Sequence, residues 1–178
     1  TLKQIKDEIE ISNKIFLKEL GETPDLFAYP YGEMDEKIID ILKDYKFKAA
    51  FGQHSGVINE TSNMYYLPRF SLNEKYGDLK RFKFAANSYG LQIKNILPID
   101  RTIKDINPPL LGFTLLNNIE SSIKCYPSHN INANLTRIGS TRIEIRFNRE
   151  FPKGRTRVNC TTNDKKKWRW TGFQFFNP

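Results

Sequence analysis

The chain has 178 residues, 39% of them apolar, which is too high an apolar content for a disordered chain and enough length for one ordinary domain or two small ones. A mean hydropathy of −0.56 without any long apolar run excludes a transmembrane helix. Two histidines and two cysteines cannot build a self-contained structural zinc site, so a metal enzyme would need carboxylates or ligands from elsewhere.

Charge is distributed unevenly along the chain. Residues 1–100 carry 14 basic and 15 acidic side chains, whereas residues 101–178 carry 14 basic and 5 acidic ones. This break predicts two units of different character, and the basic unit could bind nucleic acid, acidic lipid or an anionic polymer. The alternative is that its basic residues simply occupy the polar faces of strands.

The first 51 residues alternate between helical and strand patterns. Apolar residues at helical spacing predict a helix over 2–20, which Gly21 ends. Short apolar runs predict strands at 26–29 and 47–51, and a second helical stripe lies between them at 35–45. The order helix, strand, helix, strand is typical of a parallel α/β sheet or barrel.

Period-two alternation replaces the helical patterns after the Pro108-Pro109 pair, which predicts a linker. We interpret 142–147 and 155–160 as the two strands of a hairpin. Further strands are predicted at 113–116, 121–126, 135–138 and 167–176. Short strands of this kind favour a small β-sandwich. We therefore predict an α/β unit over residues 1–106, followed by an all-β unit over residues 107–178.

Cys125 and Cys160 lie 35 residues apart, both on predicted inward faces of the β unit. In an exported protein they would form a disulfide bond, stabilising the fold by about 3–4 kcal/mol in the loop-entropy picture. In a cytosolic protein they would be two buried thiols. The small size of the unit favours the disulfide.

The clearest chemical signal lies between Phe27 and Asp35. A predicted buried strand ends in Pro30-Tyr31-Gly32 before a helix begins, and α/β folds place ligand sites at such strand ends. The two tyrosines that flank the proline, Tyr29 and Tyr31, make a flat hydrogen-bonding surface suited to a sugar ring. The alternative is a purely structural turn.

Three segments of the first unit resemble one family, namely Phe27 to Leu42, Gly52-Gln53-His54-Ser55-Gly56 and Leu67-Pro68-Arg69-Phe70. They are similar to the later part of a polysaccharide deacetylase, the NodB-homology domain of carbohydrate esterase family four, in the subgroup with a "YPYG" turn. Segments of the second unit resemble the β module of some bacterial members, namely Cys125-Tyr126, Gly154-Arg155, Asn159-Cys160-Thr161 and Trp168-Arg169-Trp170. The resemblance implies a distorted β/α barrel that uses a divalent metal, usually zinc, to remove acetyl groups from sugar polymers.

The resemblance also implies roles for the turn. Tyr31 matches the tyrosine of the family's third motif, and is implied to line the substrate groove and to donate its backbone N–H to the oxyanion of the tetrahedral intermediate. Pro30 and Gly32 match the same motif and would shape the turn. With Tyr29, these residues are the predicted substrate-binding set.

Two further residues are candidates for catalysis. Ala28 replaces the family's arginine that holds the catalytic aspartate, and Arg69 is our candidate to supply that charge. His54 follows a predicted strand, where an imidazole could protonate the leaving amine. The alternative for His54 is an ordinary structural histidine.

Two motifs of the family are missing from the chain. It contains no adjacent aspartate pair and no His-x-x-x-His, and its histidines, His54 and His129, are 75 residues apart. These motifs supply the catalytic base and the metal ligands in the family. We therefore expect a C-terminal portion of the enzyme, which alone binds no metal and is inactive, with the missing N-terminal part of the barrel as its partner.

Two classes of function follow from these patterns. The first is a portion of a polysaccharide deacetylase that is periplasmic or secreted and acts on an acetylated polysaccharide. The second is a non-catalytic carbohydrate-binding or structural module. Nucleic-acid binding is not expected, because no recognised motif is present. A weaker hypothesis is that basic residues of the β unit attract an anionic or partly deacetylated envelope polymer. These are four arginines on the outward faces of strands predicted to be adjacent, Arg142, Arg146, Arg155 and Arg157, together with Lys165, Lys166 and Lys167.

Overall fold

The computed structural model describes residues 1–178, and the first 51 form the predicted order of elements. The side chain of Thr1 caps the start of the first helix, α1 (Leu2–Leu20), and Gly21 in the left-handed conformation caps its end. The elements that follow are β1 (Leu26–Ala28), α2 (Glu36–Asp44) and β2 (Ala49–Phe51). Strands β1 and β2 pair in parallel, as the helix between them requires.

A small hydrophobic cluster holds these elements together. Its buried members are Ile9, Tyr29, Met34, Ile41, Leu42, Phe47, Ala50 and Tyr66. The ring of Phe27 packs edge-on against those of Tyr29 and Phe47, with centroids 5.4 Å apart in both pairs. These contacts fix β1 against the segment that leads into β2.

One side of this N-terminal part is open and apolar. Strands β1 and β2 form a two-stranded sheet and not a closed barrel, so the predicted barrel is not confirmed. Leu26 of β1 is 57% exposed, and α1 exposes Ile11, Ile15 and Leu20. Because parallel sheets are normally covered on both faces, this surface is unusual for a finished α/β unit.

The rest of the chain is rich in sheet. After α3 (Leu79–Ala86) the strands are β3 (Tyr89–Gly90), β4 (Ile93–Leu97), β5 (Leu111–Leu115), β6 (Lys124–Pro127), β7 (Ala133–Ile138), β8 (Arg142–Phe147), β9 (Gly154–Asp164) and β10 (Lys167–Asn177). They form two four-stranded sheets, in the orders β3-β10-β9-β6 and β4-β5-β8-β7. The fold is therefore mixed α/β with a sheet-rich C-terminal part.

The two four-stranded sheets share one hydrophobic core. It contains 18 buried residues, against 8 in the N-terminal cluster, so most of the apolar burial of the molecule lies between the sheets. Phe113 of β5 stacks on Phe173 of β10 across this core, with ring centroids 5.8 Å apart. Burial on this scale makes the sheets the main source of hydrophobic stabilisation.

The predicted hairpin between 142–147 and 155–160 is wrong. Strand β8 pairs with β5 and β7, whereas β9 pairs with β6 and β10 in the other sheet. The connection between β8 and β9 crosses from sheet to sheet, and its Phe151 is buried in the shared core. The hairpins are instead β7–β8 and β9–β10, and the second turns through Lys165 and Lys166, both with positive φ.

The predicted disulfide is present. Cys125 of β6 and Cys160 of β9 are direct cross-strand partners and are bonded to each other. Both are buried in the core between the sheets. The bond therefore links two neighbouring strands at the inner face of one sheet.

Strand pairing also includes residues before the Pro108-Pro109 pair. Strand β3 pairs with β10, and β4 pairs with β5, so both sheets recruit strands from residues 89–97. The division between residues 106 and 107 remains a prediction.

None of the helices combines the length and the apolar character needed to cross a membrane.

The four arginines proposed as one basic face lie on different sheets. In β8, Arg142 and Arg146 both pair with Glu144, at 2.6 and 2.9 Å. Arg155 and Arg157 belong to β9, in the other sheet, and contact the N-terminal part. The prediction of one shared face is wrong, because β8 and β9 are not neighbours.

Candidate functional site

The turn after β1 has an uncommon backbone conformation. Its hydrogen bonds run from Gly32 N–H to Tyr29 O at 2.9 Å, and from Glu33 N–H to Pro30 O at 3.2 Å. Neither bond uses the N–H of Tyr31. That residue has φ 57° and ψ 6°, in the left-handed region that non-glycine residues rarely adopt. Its side chain is 64% exposed, so the turn presents Tyr31 at the surface.

Glycine is required at position 32. Its φ is +74°, and a Cβ added there would lie 2.5 Å from the backbone nitrogen of Gln53. The turn therefore packs directly against the segment that follows β2. This close approach brings the region of Tyr31 next to the loop that carries His54.

A buried glutamine of the C-terminal sheet holds the turn. Gln174 of β10 is 2% exposed and donates from Nε2 to the carbonyl of Tyr31 at 3.0 Å. Its Oε1 accepts from Arg157 Nε at 3.1 Å, and Arg157 Nη2 donates to Gln53 Oε1 at 3.2 Å. This chain of hydrogen bonds ties both segments of the candidate site to β9 and β10.

A second arginine of β9 contacts the exposed ring. The guanidinium carbon of Arg155 lies 4.9 Å from the ring centroid of Tyr31, within the range of a cation–π interaction. Its Nε lies 4.0 Å from a carboxylate oxygen of Glu33. Both partners are partly solvated, so the contact orients the ring more than it stabilises the fold.

Tyr29 and Pro30 occupy different environments from Tyr31. Tyr29 is 2% exposed, and its hydroxyl donates to the carbonyl of Tyr65 at 2.8 Å. Its ring therefore packs in the core and does not face a groove. Pro30 forms the first position of the turn, where its fixed φ suits the tight geometry.

His54 lies in a buried environment. It is 5% exposed and its ring centroid lies 4.3 Å from that of Tyr66. Its Nδ1 is buried without a hydrogen-bond partner. Burial, assisted by the positive charge of Arg101, lowers the pKa of His54 to about 3. The ring is therefore neutral at physiological pH.

This burial gives an expected pH dependence of stability. Between pH 6.5 and about pH 3 the unfolded chain protonates His54 and the folded chain does not. As the pH is lowered through this window, the free energy of unfolding of wild type should therefore fall by about 1.4 kcal/mol per pH unit, relative to that of a His54→Gln variant. Above pH 6.5 the free energies of unfolding of the two proteins should depend on pH in the same way. Urea unfolding at several pH values measures both. The same pH dependence below pH 6.5 would contradict the burial of His54.

Arg69 supports the loop of His54. Its Nε donates to the carbonyl of Gly52 at 2.8 Å, and its backbone N–H donates to the carbonyl of His54 at 3.0 Å. It forms no salt bridge with a carboxylate of the chain. The structure thus brings Arg69, His54 and the Tyr31 turn to adjoining segments at the ends of β1 and β2.

The sequence patterns do not identify Arg101 and Gln174 as residues of this region, and they place Arg157 only on a basic strand face. Gln174 lies between Phe173 and Phe175, where simple alternation assigns it to the outer face of the sheet. That face is covered by the Tyr31 turn, which no local pattern reveals. The one feature of the sequence that sets Gln174 apart is its amide side chain between two phenylalanines.

Comparison with known proteins adds one finding. The family model described as polysaccharide deacetylase matches residues 1–51. These residues comprise α1, β1, the Tyr31 turn, α2 and β2. No curated protein and no solved structure matches the chain significantly.

Proposed function

We propose that these residues are the later part of a metal-dependent polysaccharide deacetylase, a hydrolase that removes acetyl groups from a sugar polymer. The match of residues 1–51 to that family is the observation that carries the proposal. It supports the family and hence hydrolase chemistry in the full protein. The matched segment includes the exposed turn at the end of a parallel strand, where α/β enzymes commonly place reacting groups.

Within this proposal, Tyr31 stabilises the oxyanion. The two hydrogen bonds that close the turn leave its backbone N–H unused, and Gln174 fixes its carbonyl. A donor held in place before the reaction stabilises developing negative charge without reorganisation. The exposed phenol ring, oriented by Arg155, would line the groove for the sugar.

The residues of the chain do not fit a metal site. No group of three or more His, Cys, Asp or Glu residues is placed to hold an ion. The zinc or other divalent metal and the catalytic base therefore belong, in this proposal, to a part of the protein outside these residues. The open edge of β1 and the exposed apolar residues of α1 are where that part of the barrel would pack. We expect the residues described here to be inactive alone.

His54 and Arg69 have supporting roles in the proposal. Protonation of the leaving amine by His54 requires a charged imidazole, which its buried environment disfavours. A negative charge brought close to the ring, by substrate or by the rest of the barrel, would restore that capacity. Arg69 holds the loop of His54 through two backbone contacts and would act by positioning it.

The proposed substrate is an acetylated polysaccharide, and the proposed location is outside the cytoplasm. The disulfide between Cys125 and Cys160 fits an oxidising compartment. A periplasmic or secreted enzyme also meets cell-envelope polymers directly.

Acetate release from acetylated oligosaccharides tests the proposal. The complete protein should release acetate, lose this activity on treatment with a chelator, and regain it with zinc or another divalent metal. Substrate binding without acetate release, at every metal tested, would overturn the proposal and favour a carbohydrate-binding module instead.

A further inference from the structure

A cavity of about 210 Å³ lies between the N-terminal part and the sheets. Its wall includes His54 and Tyr66 from one side, Leu91 and Phe173 from the other, and Arg101 from the connection between β4 and β5. All five residues are buried. The lining mixes apolar residues with polar ones, among them Glu36, and a site of mixed composition can hold a small molecule that has a charged end and an apolar end.

The charge of Arg101 has no carboxylate partner in this cavity. The residue is 8% exposed and forms no salt bridge. The neighbouring carboxylate of Asp100 is occupied by Lys104, at 2.5 Å, and by the N–H of Thr102, at 3.0 Å. Burial lowers the pKa of Arg101 to about 10, which leaves it charged at neutral pH. A buried charge of this kind is costly unless an anion pairs with it.

One nitrogen of the Arg101 guanidinium remains free for a ligand. Nη1 donates to the carbonyl of Pro98 at 2.5 Å, and Nε is buried with almost no accessible surface. Nη2 makes no hydrogen bond, so it is the donor available to an anion. The rings of Phe173 and Phe175, each with its centroid 5.5 Å from the guanidinium carbon, hold the group in place.

We propose that Arg101 binds a short-chain carboxylate, such as acetate or propionate, in this cavity. A carboxylate oxygen accepts a hydrogen bond from Nη2, and the bound charge compensates the buried guanidinium. The alkyl group lies against the apolar wall formed by Leu91 and Phe173. The site does not depend on the proposed deacetylase function, although acetate is also the product of that reaction.

Isothermal titration calorimetry of the complete protein with acetate, at constant ionic strength, tests the site. Wild type should show saturable binding to one site, and acetamide, the uncharged analogue, should not compete. Arg101→Met should weaken binding by at least about tenfold, because the hydrogen bond and the charge are lost. Arg137→Met, which removes an exposed arginine of β7, is the matched control and should bind like wild type.

Arg101→Lys provides a second variant that keeps the charge and loses the Nη2 donor. It should fold like wild type, as judged by circular dichroism, and bind acetate more weakly. Absence of saturable binding to wild type would overturn the proposal. Equal binding by wild type and both Arg101 variants, or equal competition by acetamide, would also overturn it.

Discussion

Replacing Cys125 and Cys160 together with alanine should lower the free energy of unfolding by about 4 kcal/mol. The two cysteines are 35 residues apart, and opening a loop of this length gives the unfolded chain much more conformational freedom. The bond also lies at the inner face of the larger core, which both sheets share. Urea unfolding at neutral pH, followed by circular dichroism, measures the change.

Wild-type protein in a reducing agent is the control for this double variant. It should unfold at nearly the same urea concentration as the alanine variant, since both lack the bond and keep every other residue. An unfolding midpoint unchanged from oxidised wild type would show that the disulfide does not stabilise the sheets.

Gln174→Glu should lower kcat of the complete enzyme by about a hundredfold, the scale expected when a reacting group is displaced by about 1 Å. The substitution keeps the size of the side chain and its contact with Arg157, but it replaces the donor to the Tyr31 carbonyl with an acceptor. The turn would then lose the bond that holds its left-handed conformation. KM should change little, because the buried Gln174 does not reach the groove.

Gln4→Glu is the matched control, because it makes the same chemical change on the exposed face of α1 and preserves the helix cap. It should leave kcat and KM unchanged. A loss of stability in Gln174→Glu without any fall in kcat would assign Gln174 a structural role only. A rise in KM at constant kcat would place it in substrate binding instead.

Much of the N-terminal part could be predicted because local signals agree there. The apolar spacing of α1 and the glycine at position 21 specify one helix with one end. The match between predicted and observed α2 rests on a similar stripe, with Asp35 as its cap. Such signals act within a few residues, so the sequence contains them completely.

Strand partners could not be predicted in the same way. Alternation in β8 and β9 identifies the inward residues of each strand correctly, but a strand in either sheet of a layered pair shows the same alternation. The two strands lie in different sheets because the connection between them passes from one sheet to the other, with Phe151 buried in the core. The disulfide could be predicted more easily, because inward positions on their strands place both cysteines in the same core.

The environment of the candidate site depends on contacts distant in sequence. Gln174 reaches Tyr31 across 143 positions of the chain, and no pattern near either residue records that contact. The burial of His54 likewise results from packing between the N-terminal part and the sheets, where its side chain lines the cavity. Sequence motifs therefore identify the turn, whereas the residues that fix its geometry follow from its packing against β9 and β10.

The amide resonance of Tyr31 in the complete protein reports directly on the proposed oxyanion donor. It is observed after labelling with ¹⁵N-tyrosine and assigned by its loss in Tyr31→Phe. A phosphonamidate analogue of the acetylated sugar carries a tetrahedral anion where the acetyl carbonyl reacts. Its binding should move the Tyr31 amide proton downfield, as expected for a strong hydrogen bond to an oxyanion. Binding of the analogue with no change at Tyr31 would contradict the assignment of this turn to deacetylation.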